Sequence, residues 1–356
     1  MNSWAIRTTG VLDSLGVPIV QAPMAGGPST PELAAAVDRA GGLGFLAAGY
    51  LSPERLQHDI AATRSSAVAR FGVNVFVGGE GPADPAQVDA YAERLKPLAE
   101  RAGVELGQPR FDDDSFEEKI DVLLQEKVGV VSFTFGMPPT TVVRSLQAGG
   151  TEVWLTVTSP DETLRAAAAG ADALIVQGVE AGGHRGVFAD DDSQSQLTLL
   201  ASLQLVRAAV DIPLIAAGSI MTGRALAAVL VAGAAAGQVG TAYMRTPEAG
   251  TSEVQRAAIS TDRPTVLTRA FSGRTARGIA NDMHNQYGKD APRAYPEVSH
   301  LTAPLRAHGR KVGDADVINL WAGQAHALAE ALPAEEITRR LALDAKRAIA
   351  EATNRL

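Results

Sequence analysis

The 356-residue chain has no cysteine. That excludes disulfides, zinc–thiolate sites, iron–sulfur clusters and thiol nucleophiles. Basic charge is also short: 32 Lys and Arg face 40 Asp and Glu, a formal net charge of −8. A general nucleic-acid or membrane-surface binder needs a concentrated basic patch, so neither partner is expected, although a local basic pocket for a phosphate stays open. Long apolar runs are missing too. Stretches such as 225–236 are alanine-rich and too short to span a bilayer. Residues 1–10 lack the basic-then-apolar pattern of a secretory signal, and a cytoplasmic protein is the expectation. No His-x-x-x-His pair or carboxylate cluster points to a metal. Asp112-Asp113-Asp114 and Asp190-Asp191-Asp192 read as solvated acidic loops.

What is present is an ordinary globular balance, 46% hydrophobic and 20% charged, enough for a sizeable core. Short apolar runs alternate with helical stretches. Residues 17–22, 43–48, 71–77, 128–135, 153–158, 173–177, 213–217 and 237–242 read as eight strands. Helices are expected at 31–40, where Ser29 or Thr30 caps and Pro31 opens the first turn, from Ser52-Pro53, at 161–169 and at 223–232. The connection at 78–127 is longer than one crossover needs and holds two helical patterns, near 86–102 and 115–125. Strands apolar on both faces and alternating with helices imply a parallel sheet, and eight units predict an α/β fold of the closed (β/α)8 type. An open doubly wound sheet would want Gly-x-Gly-x-x-Gly after the first strand, which leads instead into Ala22-Pro23-Met24-Ala25-Gly26-Gly27. The barrel is assigned to 1–250. A mainly helical region with short helices at 251–313 is expected over the mouth. At 314–356 two helices broken at Leu332-Pro333 are expected to pack on the barrel side.

A barrel of this kind places its site at the C-terminal ends of the strands. Two segments there, Gly218-Ser219 after the seventh strand and Gly240-Thr241 at the eighth, fall where barrels often bind phosphate through backbone N–H groups. Glycine permits close approach, and the two hydroxyls offer further donors; the alternative is that these glycines only make tight turns. The strand ends carry amides rather than lysines: Gln21, Asn74, Gln177 and Gln238. Uncharged donor–acceptor groups suit the pyrimidine edge of a flavin, and they are equally common as crosslinks between strands. His184 follows Gly182-Gly183 at a strand end and so stands at the mouth, either as a base near neutral pH or as a structural ring. Trp321 reads as core.

The segments QAPMAGG (21–27), AGGLGFL (40–46), FGVNVFV (71–77), VQGVEAGGHRG (176–186), IAAGSI (215–220), GQVGTAYM (237–244), SGRTARGIAN (272–281) and WAGQ (321–324) resemble the nitronate monooxygenase family. The resemblance covers nearly the whole chain in order. It implies non-covalent FMN, with its phosphate on the loops at Gly218-Ser219 and Gly240-Thr241. The ring would meet Ala22, Pro23, Met24, Asn74, Gln177, Gly182 and Gly183, with Gln238 close by. His184 matches the family's catalytic histidine, which removes a proton beside a nitro group. The implied reaction is oxidation of alkyl nitronates such as propionate-3-nitronate by O2, through a flavin semiquinone, to a carbonyl product and nitrite. Tyr295, His300 and Arg306 are the candidates for the substrate's carboxylate, and a homodimer is the candidate assembly. Two other readings stay open. One is an FMN-dependent NAD(P)H oxidoreductase, a quinone or enoyl-acyl-carrier-protein reductase, with Arg269, Arg274 and Arg277 serving the dinucleotide. The other is a non-catalytic flavin- or phosphate-binding barrel.

Overall fold

The computed structural model describes residues 10–355 apart from 69, 80 and 192–194. Residues 1–9 and Asp192, for which expectations were stated, lie outside the described residues. Strands β1 (Ile19–Gln21), β2 (Gly44–Ala47), β3 (Phe71–Phe76), β4 (Val130–Thr134), β5 (Glu152–Val157) and β6 (Ala173–Gln177) are followed by β7 (Gly183–His184), β8 (Leu214–Ala217) and β9 (Ala236–Val239). All but β7 form one parallel sheet in the order β1-β9-β8-β6-β5-β4-β3-β2. The sheet closes between its ends. The Gln21 N–H donates to the Leu43 carbonyl at 2.8 Å, and the Leu43 N–H donates to that of Ile19 at 2.9 Å. This is the predicted (β/α)8 barrel.

Helices α1 (Pro31–Arg39), α2 (Pro53–Ser65), α3 (Pro85–Ala102), α4 (Phe116–Glu126), α5 (Thr140–Ala148), α6 (Pro160–Ala168), α7 (Leu199–Ala209) and α8 (Gly223–Val231) connect the barrel strands. Thr30, Ser52 and Ser159 each accept from an N–H three residues on and are followed by proline. The hydroxyl satisfies an orphan donor, and proline loses nothing where no N–H bond is due. Inside the barrel Val20, Phe45, Val130, Trp154, Ile175 and Ile215 pack together. Phe45 fits because Gly72 faces it: a Cβ there would stand 2.2 Å from the Phe45 ring.

The C-terminal third departs from the expected helices. It contains α9 (Glu253–Ile259), a hairpin of β10 (Thr265–Thr268) and β11 (Ala276–Ile279), α10 (Asp282–Tyr287), and α11 (Glu297–Val312), which runs 16 residues through Pro304. Strand β11 also pairs with β7, setting Ala276 opposite His184 and Arg277 opposite Gly183. Among the described residues one α-helix, α12 (Ala334–Thr353), follows residue 314; a 3-10 turn at His326–Leu328 stands where the first of two helices was expected. Helix α12 packs on α8 and α1, on the flank of the barrel. Over the mouth, Val88, Tyr91 and Leu95 of α3 join Phe271, Met283, Tyr287, Val298 and Leu301 in a second, smaller core. The long connection and the C-terminal region thus hold each other in place. Among the described residues no helix is long and apolar enough to cross a membrane, and no group of three or more His, Asp or Glu is placed to hold a metal ion.

Candidate functional site

A cavity of about 480 Å³ opens at the C-terminal ends of the strands. It is bordered by Ala22, Pro23, Met24, Asn74, Gln177, Gly182, Gly183, His184, Gly218, Ser219, Gln238, Gly240, Thr241, His300 and Arg306, so the sequence-predicted residues converge on one space. Tyr295 is the exception. It stands behind the wall, its ring 5.8 Å from that of His184 and 5.6 Å from that of Phe135. Among the described residues no acidic side chain and no lysine borders the cavity, whereas Arg306 and Arg310 both do.

The hairpin brings Ser272 to His184. The Ser272 hydroxyl donates to the Arg274 carbonyl at 3.2 Å and lies 2.8 Å from His184 Nε2. In the tautomer where the Ser272 proton stays on the Arg274 carbonyl, Nε2–H donates to Ser272 and the ring lone pair is on Nδ1; in the other, the Ser272 hydroxyl donates to Nε2. The ring also meets Phe135 and Trp321 edge to face, at 5.6 and 5.4 Å. Burial lowers the His184 pKa to about 3; the charges of Arg274 and Arg306 push it the same way, and Asp190 opposes them. The imidazole is therefore neutral across the physiological range. In the unfolded chain it would take up a proton near pH 6.5, so its contribution to stability is complete above that pH. It is lost as the pH falls toward about 3. Between about pH 7.5 and about pH 5 this loss should be roughly 1–2 kcal/mol. Urea midpoints should fall more for the wild type than for His184→Asn over that interval; equal falls would refute the assignment.

The four strand-end amides separate into different uses. Gln21 is a crosslink: its Nε2 donates to the Ala22 carbonyl and Ser29, and its Oε1 accepts from the Phe45 N–H. Gln177 shapes the loop that carries His184, donating to the His184 carbonyl and accepting from the Gly186 N–H and Arg185. Asn74 spends its donors on Ser132 and Thr134 of β4. Gln238 keeps a buried Oε1 with no partner among the described residues. At the expected phosphate loops, Gly218 (φ +140°) and Ser219 (φ +49°) both take left-handed backbone. Ser219 does not keep its hydroxyl proton free as expected; it donates to the Glu180 carbonyl at 3.0 Å. Thr241 accepts from the Gly323 N–H at 3.0 Å and retains its own proton. Among the described residues nothing accepts from the N–H groups of Gly218, Ser219 or Gly240.

Several expectations are corrected. The acidic runs are only partly solvated: Asp113 is exposed, but Asp114 pairs with fully buried Lys119 at 2.7 Å and caps the Tyr50 N–H, Asp112 holds His300 Nε2 at 2.8 Å, and Asp190 holds Arg269 at 3.0 Å. Trp321 is half-buried and borders the cavity. Arg269, Arg274 and Arg277 form no surface patch. The first is paired with Asp190, and the other two are buried with bonds to the Val187 and Val179 carbonyls. Sequence reasoning missed Tyr50, Phe135, Ser272 and Arg310 in the wall. Phe135 directly follows β4, so the strand-end rule could have found it. Arg310 follows Arg306 by one helical turn, which shows only once α11 is known to be continuous.

The family model described as nitronate monooxygenase matches residues 11–344. A probable nitronate monooxygenase from Staphylococcus aureus (strain Newman) is 39% identical over 342 residues, 93% of this chain and 94% of that protein. Nitroalkane oxidase from Streptomyces ansochromogenes superposes with a TM-score of 0.93 at 45% identity, covering 96% of this chain and 99% of that one. FabK from Thermotoga maritima superposes with a TM-score of 0.77 at 27% identity, covering 97% of each chain. The chain belongs to the nitronate monooxygenase family and is a flavin-dependent oxidoreductase.

Proposed function

We propose that the protein binds FMN at the barrel mouth and oxidises alkyl nitronates with O2, yielding a carbonyl product and nitrite. The observation that carries this reading is the cavity wall: a neutral imidazole and two arginines, with no acidic side chain among the described residues. Such a wall suits an anion that has just lost, or is about to lose, a carbon-bound proton.

The residues fit FMN. The unbonded N–H groups of Gly218, Ser219 and Gly240 suit a phosphate, with the Thr241 hydroxyl beside them. The orphaned Gln238 Oε1 suits a ring N–H, and a buried acceptor left without a donor is costly otherwise. Ala22, Pro23, Met24, Asn74, Gln177, Gly182 and Gly183 would border the ring. When bound, FMN supplies the electron-transfer chemistry between nitronate and O2.

The chain's own groups do the rest. His184 Nδ1 accepts the proton from the carbon next to a nitro group when the substrate arrives neutral. Arg306 receives the substrate's anionic end; its Nε and Nη2 are held by Thr302 and Ser299, which fixes the guanidinium against the cavity. Propionate-3-nitronate, with a carboxylate at its far end, fits this arrangement. His300, steadied by Asp112, completes that side of the pocket, and Tyr295 backs it from behind the wall, donating to the Tyr50 hydroxyl at 3.4 Å.

The test is an oxygen electrode with the FMN-loaded protein and propionate-3-nitronate, without NADH or NADPH. Rapid O2 uptake with nitrite release is expected. Flavin that is bleached only by NADH or NADPH, with no response to nitronate, would replace this reading by an NAD(P)H-dependent reductase.

A further inference from the structure

We propose that Arg274 sets the cavity's preference for anions, holding a positive charge behind Phe135 without touching the substrate. This rests on the reading above that the substrate is anionic. The Arg274 guanidinium lies over the Phe135 ring, 4.1 Å from its centroid. Phe135 borders the cavity, and its own ring is 5.6 Å from that of His184. One ring therefore separates the charge from the reacting space.

That charge has no direct ion-pair partner among the described residues, and Asp190 and Glu162 act on it only from a distance. Arg274 is only 7% exposed. Its Nη2 donates to the Val187 carbonyl, while its Nε is buried with no partner among the described residues. Among the described residues no carboxylate forms an ion pair with it. Asp190, which acts on it most strongly among the acids, is held by Arg269 and by the Thr275 N–H at 3.0 Å each. Burying an unpaired guanidinium is costly, and a fold that keeps one gains when an anion arrives nearby. The intervening phenyl ring excludes water, so the field reaches the cavity with little screening. Phe135 itself takes left-handed backbone (φ +79°), which is rare for an aromatic residue and is found where neighbouring structure imposes it. The positive charge also contributes to keeping His184 neutral.

Nitrate serves as a redox-silent, monoanionic probe, its affinity for the FMN-loaded protein measured by isothermal titration calorimetry. A unit charge within about 10 Å at an effective dielectric of about 20 changes anion affinity by about tenfold. Arg274→Met and Arg274→Gln, which remove the charge, should each weaken nitrate about tenfold, and Arg274→Lys should restore most of the loss. Affinity for nitroethane, kept neutral below its own pKa, should not change. The proposal is overturned if the uncharged variants bind nitrate like the wild type, or if nitrate and neutral nitroethane weaken together. The comparison does not depend on turnover, so failure of nitronate oxidation would leave it intact.

Discussion

Replacing His184 by Asn is expected to leave flavin bound and to cut turnover of neutral nitroalkanes by about 10²–10⁴-fold, the usual worth of a positioned base. Turnover of pre-formed nitronates should fall far less, because their carbon proton is already gone. The ring is held at Nε2 by Ser272 and braced by Phe135 and Trp321, and in the tautomer with Nε2 protonated Nδ1 is the proposed base. A pKa near 3 looks low for that task. It describes the buried ring with no substrate beside it, lowered by Arg274 and Arg306 and opposed by Asp190. Proton abstraction creates a nitronate anion beside the imidazolium, and that opposite charge offsets burial as the proton arrives. Steady-state rates on nitroethane and on its nitronate, measured with flavin content, check the argument. A variant with wild-type turnover on the neutral compound would end the base assignment, and one that loses flavin would make His184 part of the binding wall.

How much of this was legible in the sequence follows from the range of the interactions. Barrel strands are local: apolar runs such as 173–177 with a capped helix after 159 announce themselves, and the structure places them as read. The glycine-rich loops were legible for the same reason, since a loop after a strand must stand at the mouth. The surroundings of His184 were not. Its strand β7 has two residues and no periodicity, and it exists only because β11, more than 90 residues on, pairs with it. Ser272 and Arg274 arrive with that hairpin. The acidic runs misled because charge clusters are usually solvated, whereas here Asp114 and Asp190 answer cations that are remote or buried. The amides could be found but not sorted: Gln21 and Gln238 look alike in sequence, and only their partners show that one is spent and the other is not.

The phosphate assignment meets its sharpest test at Gly218. Its φ of +140° is a conformation that a β-branched residue cannot adopt without strain, and a Cβ there would already touch Ala181 and Glu180 at 3.5 Å. Gly218→Val should therefore turn the loop as well as fill it, displacing the N–H groups that converge on the proposed phosphate. FMN affinity should fall by at least about 100-fold, the loss of two charge-assisted hydrogen bonds at about 1.5 kcal/mol each. Strain alone must be separated from this. Gly170 also has positive φ (+89°), has open space around its Cβ position, and lies in the turn between α6 and β6, at the opposite end of the barrel. Gly170→Val should cost a comparable 1–3 kcal/mol of stability and keep its flavin. Flavin titration of both apoproteins, alongside their thermal midpoints, gives the comparison. If Gly218→Val binds FMN stoichiometrically, the phosphate lies elsewhere; if both variants lose flavin alike, global destabilisation explains the effect. Loss confined to Gly218→Val is the expected result, because of the two positions only Gly218 lends its backbone to the proposed phosphate site.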